Sequence, residues 1–404
     1  MAHGVREVEP SLVSQESSRT PVGRLAPSPT GKLHLGNARS FLLAWLSIRQ
    51  QKGIMILRIE DIDLTRVKPG AVQATIDDLR WLGLDWDYGP DLPPAQVGQV
   101  PVNQSLRLDR YRQVLEQLIQ DGRVYTCRCT RSQIAQAASS APHESGWTQL
   151  DGPIYPGICR PDHLTPFSTA PSSSESSDAV SPTEQKSPPG RLSLPRPASN
   201  LSISPANEVS GFPLTLPSPP KRWRGFSDRI LVENGQLALR WAFLPGVVQW
   251  HDQLLGRQSA NPIKQLGDFV IGRASGLPAY QLAVVVDDYD MGVTEVVRGS
   301  DLCLSTFRQV DILQHLGWPI PSYYHVPLML SSDGHRMAKR QGDSIAEFQH
   351  QQVAPEKIIG YLAWSAGLID RIEPVAARDL IGSLNWQRLA KHPTTFTGLL
   401  ERVE

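Results

Sequence analysis

The chain has 404 residues, of which 40% are hydrophobic, and its 40 Lys and Arg residues balance 40 Asp and Glu residues. This length allows two or three domains with a sizeable core. The zero net charge excludes binding of nucleic acid through an overall positive charge, so any RNA contact would have to come from local basic patches.

The N-terminal composition and the cysteine pattern indicate the compartment. The first residues are polar and acidic, which is not the pattern of a secretory signal, and no run approaches the roughly 20 apolar residues of a membrane span. Four cysteines, three of them clustered, do not form the dense framework of a secreted disulfide protein. We therefore expect a cytoplasmic protein without membrane contact, and we take it to be a monomer.

The first part of the chain alternates between strand and helix patterns. After a loose tail over residues 1–20, the predicted elements are a strand over 22–25, a helix over 37–50 ended by Gly53, a buried strand over 54–59, and helices over 70–82 and 105–121. Apolar residues at helical spacing mark the helices, and a continuous β-branched run marks the buried strand. This alternation predicts a parallel sheet covered by helices, which is an α/β fold.

Residues 161–224 differ from the rest because Ser and Pro dominate them. Such a segment buries too little apolar surface to offset its chain entropy, so we predict a disordered insertion that the fold tolerates. A functional loop is the alternative. The elements predicted after it are strands over 268–273, 279–286 and 293–297, a helix over 302–316 capped by Ser300 or Asp301, a strand over 325–330, and a helix over 355–367.

The loop between the first strand and the first helix carries the strongest chemical pattern, GRLAPSPTGKLHLGNAR. Nucleotides bind at such strand-to-helix junctions because backbone N–H groups and the helix dipole attract phosphate. Gly31 and Gly36 lack side chains that would block a close approach, and His34 can donate hydrogen bonds to phosphoryl oxygens. Taken alone, the pattern is also compatible with a plain loop and an incidental histidine.

A second pattern, Arg336-Met337-Ala338-Lys339-Arg340, lies far downstream on a loop rich in Gly and Ser. A point charge at Lys339 and the forked donors of the two arginines suit a mobile clamp over a polyphosphate. The alternative is an ordinary run of solvated charges.

Together the two patterns resemble the paired ATP motifs of class I aminoacyl-tRNA synthetases. His34-Leu35-Gly36-Asn37 is similar to the His-Ile-Gly-His motif, and Met337-Ala338-Lys339-Arg340 resembles the Met-Ser-Lys-Ser motif, with Asn37 and Ala338 as departures. LRIEDIDLTR and AYQLAVVVDDYDMGVTEVVRGSDL are similar to the glutamyl and glutaminyl branch. The resemblance implies catalytic roles for His34 and Lys339. It implies ATP contacts for Gly31, His34, Gly36, Asn37, Met337 and Lys339.

The same resemblance implies a division of the chain into domains. Residues 21–120 and 261–345 would form the two halves of a Rossmann-type catalytic domain with a parallel sheet. Residues 121–260 would form an inserted subdomain that holds zinc and the acceptor end of the RNA. Residues 346–404 would form a short helical region in place of an anticodon-binding domain.

The resemblance also implies a glutamate site formed by Arg24, Ser28, Glu60, Tyr280 and Arg298. Arg24 and Arg298 would hold carboxylates, Ser28 and Glu60 would take the α-carboxylate side and the α-ammonium, and Tyr280 would line the pocket. Glutamate has two carboxylates and one ammonium, so two cations, one anion and neutral donors suit it. The alternative for Glu60 is an ordinary salt bridge with a neighbour at the end of its strand.

The cysteines form a third constellation. Cys127 and Cys129, with a returning Cys159, can supply three thiolates to tetrahedral zinc, or they can pack as reduced core residues. The resemblance to a short synthetase-like family implies a structural zinc site with Tyr155 as the fourth ligand. We expect Cys303, which has no partner in the pattern, to lie in the core.

The short region after the lysine motif is most similar to the glutamyl-Q tRNA(Asp) synthetases, which are short paralogues of glutamyl-tRNA synthetase. That resemblance implies that glutamate is activated with ATP and Mg²⁺ without tRNA and is then transferred to queuosine at the wobble position of tRNA(Asp). Three alternatives stay open: a truncated glutamyl-tRNA synthetase that charges a tRNA 3′ end, a silent paralogue that binds RNA or nucleotide, and a generic nucleotidyltransferase with this fold.

Overall fold

The computed structural model describes residues 20–139, 153–164, 237–331, 334 and 344–396. Almost all of the predicted tail over 1–20 and most of the predicted insertion over 161–224 lie outside these residues. The cationic loop that carries Met337 and Lys339 lies outside them as well. The first residues assigned to the insertion are described, and they form a 3₁₀ turn at Asp162–Leu164.

The described residues alternate between strands and helices over most of their length. The strands are β1 Val22–Leu25, β2 Ile54–Leu57, β3 Gln96–Val97, β4 Val100–Pro101, β5 Val124–Cys127, β6 Ala238–Trp241, β7 Val248–Asp252, β8 Gly256–Ala260, β9 Phe269–Gly272, β10 Glu295–Gly299, β11 Ser322–Val326, β12 Met329–Leu330 and β13 Thr394–Thr395. The helices are α1 Leu35–Gln50, α2 Ala71–Trp81, α3 Leu108–Gln120, α4 Arg131–Ser139, α5 Pro262–Gln265, α6 Tyr280–Asp290, α7 Cys303–Leu316, α8 Ile345–His350 and α9 Pro355–Ala366. None of these helices has the length and apolar character that crossing a lipid bilayer requires.

Parallel pairing confirms the α/β prediction. β1 pairs with β2 in parallel, from Val22 opposite Ile54 to Leu25 opposite Leu57. β10 pairs in parallel with β11, and β11 pairs in parallel with β7. β8 completes this sheet by antiparallel pairing with β7. The backbone N–H of Thr294 donates to Val22 O at 2.9 Å, which places the start of β10 beside β1. The carboxyl ends of β1 and β10 therefore lie on the same side of the molecule.

Helix α1 covers this layer because most of its surface is apolar. It packs against β1, β10 and α9, and its buried residues include Leu42, Leu43 and Trp45. The predicted stop at Gly53 is confirmed by position, since α1 ends at Gln50. A Cβ at Gly53 would lie 2.5 Å from Pro21 O, so only glycine allows the chain to turn there into β2.

A separate antiparallel sheet follows the order β5-β6-β9. Its strand β5 pairs with β6 from Val124 opposite Trp241 to Cys127 opposite Ala238. This sheet joins the part of the chain before the Ser/Pro-rich segment to the part after it. It also places Cys127 at a strand end, which is where the cysteine pattern begins.

The prediction of a strand over 279–286 is wrong, because this segment begins the helix α6. Residues from Leu282 to Asp288 are all buried, since α6 packs against both α3 and α7. A helix that is covered on nearly every face shows a continuous apolar run, and such a run cannot be distinguished from a buried strand by its pattern. Tertiary packing thus overrides the β-branched composition.

Two smaller predictions also need correction. The strand predicted over 325–330 is two strands, β11 and β12, separated at Pro327, which has no N–H to continue a ladder. Neither Ser300 nor Asp301 caps α7, because both belong to a 3₁₀ turn and Leu302 is the capping residue. The predicted end of this helix at residue 316 is confirmed, and Gly317 follows it in the left-handed conformation.

Candidate active site

A cavity of about 380 Å³ lies at the carboxyl ends of β1 and β10, beside the N-terminus of α1. Every residue predicted to bind ATP or glutamate that the structure describes lines this cavity. These residues are Arg24, Ser28, Gly31, His34, Gly36, Asn37, Glu60, Tyr280 and Arg298. Met337 and Lys339 lie outside the described ranges, so the approach of the lysine loop to this cavity stays a prediction.

His34 is held at the start of helix α1. It is the N-cap residue with an extended backbone, and its Nδ1 accepts a hydrogen bond from the Asn37 N–H at 3.3 Å. Because Nδ1 accepts, a neutral imidazole carries its proton on Nε2. A Cβ at Gly36 would lie 3.2 Å from Nδ1 and 3.3 Å from Cε1 of His34. Because glycine has no Cβ, the His34 ring can pack closely against the start of the helix.

Two buried arginines give the cavity its positive charge. Arg24 and Arg298 come from β1 and β10 and are 6% and 5% exposed. Burial lowers the pKa of Arg24, and the neighbouring Arg58 and Arg298 add to this effect against the attraction of Asp288. Nη1 of Arg298 has no hydrogen-bond partner within the part of the chain that the structure describes, and the nearest anion to Arg24 Nε there is Asp288 at 3.5 Å. A buried guanidinium with an unpaired N–H favours an anionic ligand.

Glu60 is one of two carboxylates in the described lining of the cavity, and the other is Asp301. Oε1 of Glu60 accepts from Arg58 Nη2 at 3.3 Å, and its Oε2 accepts from Ser28 Oγ at 3.4 Å. The neighbouring salt bridge considered from the sequence is therefore present, and the carboxylate lines the cavity as well. Burial raises the pKa of Glu60, while Arg58 and Arg24 oppose that rise.

Tyr280 completes the described wall beside Glu60. Burial and the adjacent Glu60 carboxylate raise the pKa of this tyrosine to about 12. Its hydroxyl is therefore protonated at neutral pH and can donate a hydrogen bond to an acceptor in the cavity.

A network behind the cavity was not assigned from the sequence. The fully buried Arg58 donates to Asp288 at 2.5 Å and lies 3.7 Å from Asp287. Asp288 lies 3.5 Å from Arg24 Nε, so one carboxylate connects the two arginines. Attraction by Arg58 and Arg24 keeps the pKa of Asp288 below its usual value despite the opposing effect of burial. In the sequence, the only sign of this network is the adjacent acid pair Asp287 and Asp288 in AVVVDD. Their proximity to Arg24 and Arg58 is produced by the fold.

The cysteine cluster forms outside this cavity. The sulfur atoms of Cys127, Cys129 and Cys159 all lie within 4.8 Å of one another. Tyr155 Oη lies 3.5 Å from the sulfur of Cys127 and 4.0 Å from that of Cys129. Burial raises the pKa of the Cys127 thiol, but hydrogen bonding with Tyr155 and Arg240 outweighs burial and lowers the pKa to about 7.

These donors fit a tetrahedral zinc ion. Zn–S bonds of about 2.3 Å in a tetrahedron place sulfur ligands about 3.8 Å apart. The sulfur atoms of Cys129 and Cys159 lie 3.5 Å apart. The thiolate is the form that binds metal, and the lowered pKa of Cys127 favours it, whereas burial and hydrogen bonds to the other two cysteines raise the pKa of Cys129 to about 11. Cys303 lies apart from this group and is partly buried at the start of α7, 3.9 Å from Gln258 Oε1.

A sequence model described as "tRNA synthetases class I (E and Q), catalytic domain" matches residues 22–148 and 232–397. A protein of Rhodopirellula baltica named glutamyl-Q tRNA(Asp) synthetase is 39% identical to this chain, over 92% of the chain and 95% of that protein. The chain belongs to the glutamyl-Q tRNA(Asp) synthetase family of class I tRNA synthetases. Relatives with the same name in Symbiobacterium thermophilum and Nitratidesulfovibrio vulgaris are 40% and 39% identical and are covered over 94% and 98% of their length.

More distant relatives match this chain over only part of their own length. A glutamate–tRNA ligase of Methylobacillus flagellatus is 34% identical over 90% of this chain, which corresponds to 65% of that ligase. The crystal structure of a glutamate–tRNA synthetase from Elizabethkingia anophelis matches 94% of this chain and 68% of its own with a TM-score of 0.65. At 22% identity this match shows the class I catalytic fold.

Proposed function

We propose that this chain activates glutamate with ATP and then transfers the glutamyl group to queuosine at the wobble position of tRNA(Asp), as a cytoplasmic monomer. The observation that carries the proposal is that one cavity is lined by two buried arginines, by Glu60 and by His34 at a helix N-terminus. The names of relatives that match this chain over nearly their whole length support the same reaction.

The first step forms glutamyl-adenylate. The α-carboxylate of glutamate attacks the α-phosphorus of ATP, a new O–P bond forms, and pyrophosphate leaves. In the proposed arrangement, Arg24 and Arg298 bind carboxylates and Glu60 accepts from the α-ammonium group. His34 Nε2–H donates to a phosphoryl oxygen as negative charge develops. The residues supply positioning and electrostatic stabilisation, so the step needs no protein nucleophile.

The departing pyrophosphate needs positive charge. Mg²⁺, which binds ATP through phosphate oxygens, would supply part of it. We assign the rest to Lys339 on the loop that precedes α8. The start of α8 is tied to the ATP loop, because the Ile345 N–H donates to Leu33 O at 2.9 Å. This contact supports a lysine loop that ends beside the cavity.

The second step makes an ester. A hydroxyl of the queuosine cyclopentene ring attacks the carbonyl carbon of glutamyl-adenylate, the bond between that carbon and the phosphate oxygen breaks, and AMP and the hydroxyl proton are released. We propose that Cys127, Cys129, Tyr155 and Cys159 hold Zn²⁺ in a structural role. The ion would fix the strand end and the returning loop of the domain that we assign to the RNA.

The decisive experiment is ATP–pyrophosphate exchange without tRNA in the presence of glutamate, glutamine or aspartate. We expect exchange with glutamate alone, because two fixed cations require two carboxylates at a set separation. Lys339→Ala should abolish exchange and leave thermal unfolding unchanged. Near-normal exchange by that variant would remove the lysine from the mechanism.

A second assay separates this function from charging of a tRNA 3′ end. Radiolabelled glutamate is offered with tRNA(Asp) that carries queuosine, with tRNA(Asp) that lacks it, and with tRNA(Glu). Labelling only of the queuosine-containing tRNA supports the proposal. Labelling of tRNA(Glu) regardless of queuosine would show a truncated glutamyl-tRNA synthetase instead, and no exchange in the first assay would indicate a silent paralogue.

A further inference from the structure

Arg39 is a buried cation on helix α1, and its hydrogen bonds among the described residues go to uncharged acceptors. It is 3% exposed and ends HLGNAR, the sequence that begins with His34 at the start of this helix. Burial lowers its pKa to about 10, against the effect of the nearby Tyr361. A buried cation without an anion is costly, and an apolar side chain of similar length would fill the space without that cost. The reason for a cation here lies in the groups that accept its hydrogen bonds.

These acceptors come from three separate segments. Nη2 of Arg39 donates to Pro327 O, and Nη1 donates to Ser365 O at 3.4 Å and to Thr394 Oγ1 at 3.3 Å. The Thr394 hydroxyl donates in turn to Ser365 O at 3.0 Å. One guanidinium therefore ties α1 to the link between β11 and β12, to the end of α9 and to strand β13.

Strand β13 pairs with a strand that borders the cavity. β12 and β13 have two residues each, with Met329 opposite Thr394, and the backbone N–H of Thr394 donates to Leu328 O at 3.1 Å. A pair of strands this short is marginal by itself. The side-chain hydrogen bonds of Arg39 and Thr394 therefore add to what keeps β13 in place.

The residues held in this way form one wall of the cavity. Pro327, Leu328 and Met329 all line it, beside the start of α1. A Cβ at Gly36 would lie 3.8 Å from Cβ of Met329, so the wall and the helix are within van der Waals distance of each other. We call the part of the cavity between this wall and the start of α1 the nucleotide half, because the proposed function places ATP there.

We propose that Arg39 and Thr394 are positioning residues for the reaction, which fix the wall of Pro327, Leu328 and Met329 at its distance from the start of α1. The inference rests on the proposed function, since ATP is the ligand of the nucleotide half. It makes β13, whose Thr394 is 355 positions from Arg39 in the chain, part of the structure that binds the nucleotide.

The glutamate end of the cavity depends on different contacts. Arg24 lies 3.5 Å from Asp288, and Glu60 accepts from Arg58 at 3.3 Å. Loss of the Arg39 contacts should therefore weaken the binding of ATP much more than the binding of glutamate. A general loss of structure would weaken both, so the two KM values distinguish positioning from a merely structural role.

Thr394 offers a matched pair of variants, because its side chain is not part of the cavity lining. Thr394→Val keeps the shape and removes the hydroxyl that accepts from Arg39 and donates to Ser365 O. We expect the ATP KM in pyrophosphate exchange to rise about tenfold, with less than about a twofold change in the glutamate KM. Thr394→Ser keeps the hydroxyl, so both KM values should stay near those of the wild type.

Arg39→Met tests the coupling between the two residues. It removes all three hydrogen bonds of the guanidinium, so the ATP KM should rise about tenfold to a hundredfold. Adding Thr394→Val to Arg39→Met should raise the ATP KM by a much smaller factor than Thr394→Val does alone, since the hydroxyl acts through the arginine. Effects that multiply fully in the double variant would overturn the inference.

Ser383→Ala is the control. Ser383 also follows α9 in the chain, and its hydroxyl donates to Leu380 O at 2.7 Å without contact to β13 or Arg39. The variant should lower the unfolding temperature slightly and leave the ATP KM unchanged. A rise in its ATP KM equal to that of Thr394→Val would show that any loosening of this region has the same effect, and would overturn the inference.

Calorimetric binding of an ATP analogue with a methylene group between the α- and β-phosphorus atoms separates the inference from the proposed function, because it needs no chemistry. Weaker analogue binding by folded Thr394→Val but not by Thr394→Ser supports the inference even where the wild-type chain shows no exchange, which would refute only the proposed function. Wild-type affinity for the analogue in folded Thr394→Val and Arg39→Met, equal losses of analogue and glutamate binding, or no analogue binding by the wild-type chain would overturn the inference.

Discussion

Asp78 offers a prediction that can be worked out numerically from the structure. It lies on α2 with only 4% exposure, and its carboxylate accepts from Gln349 Nε2 at 3.1 Å and from the backbone N–H of Leu33, next to His34. Burial, together with the neighbouring Asp77, raises its pKa from 3.8 to about 6. The ionised side chain is therefore disfavoured in the folded state, although it anchors the loop that leads to His34.

The sign and size of the effect follow from proton linkage. The folded pKa lies above the unfolded value, so the folded protein binds more protons, and the stability contributed by the protonated form is lost as pH rises through about 6. A shift from 3.8 to about 6 corresponds to about 3 kcal/mol in total. About 2 kcal/mol of this difference falls between roughly pH 4.5 and pH 7.5.

The assay is urea unfolding of the wild-type protein and Asp78→Asn across that pH range. The difference in unfolding free energy between the two proteins should change by about 2 kcal/mol in favour of the variant as pH rises. Hydrogen bonds that the variant loses at every pH change its unfolding free energy by the same amount at low and at high pH. They therefore do not alter how the difference between the two proteins depends on pH. A difference that stays flat across the range would refute the assigned pKa and its cause.

Three further predictions concern the cavity and the cysteine cluster. Gly36→Ala brings a Cβ to 3.2 Å from the His34 ring, so pyrophosphate exchange should fall at least about tenfold while thermal unfolding stays unchanged; full activity would contradict the placement of the ring. Arg58→Met leaves Asp288 without its closest cation and should cost about 3–5 kcal/mol in urea unfolding, and a loss below about 1 kcal/mol would contradict the pairing. Cys129→Ser should abolish bound zinc measured by elemental analysis, and unchanged metal content would exclude this ligand set.

The parts of the fold that could be predicted from sequence are those with local causes. Gly53 follows the end of α1 because of its own backbone chemistry, and the apolar spacing of α1 marks a helix that packs on β1 and β10. The strand prediction for the segment that begins at Tyr280 was wrong for the opposite reason. Its apolar run is produced by helices on two sides, and a sequence window contains no information about neighbours that are distant in the chain.

The same distinction applies to the site. His34 and Gly36 could be identified because the strand-to-helix loop has a recognisable pattern of its own. The surroundings of Arg298 could not be identified in this way. Asp252, Thr306 and His325 come from three elements that only the fold brings together, and each has an unremarkable sequence context.

The partners of the buried arginines separate structural roles from roles in binding. Arg58 is surrounded by carboxylates and has no place among the residues that line the cavity. Arg24 lies 3.5 Å from one carboxylate and lines the cavity, and Arg298 lines it too, with hydrogen bonds to the neutral acceptors His325, Thr306 and Gln309 among the described residues. The less an arginine is neutralised from within, the more its burial depends on an anion from outside. In the proposed function, a dicarboxylate substrate would supply two such anions and complete the charge pairing of Arg24 and Arg298.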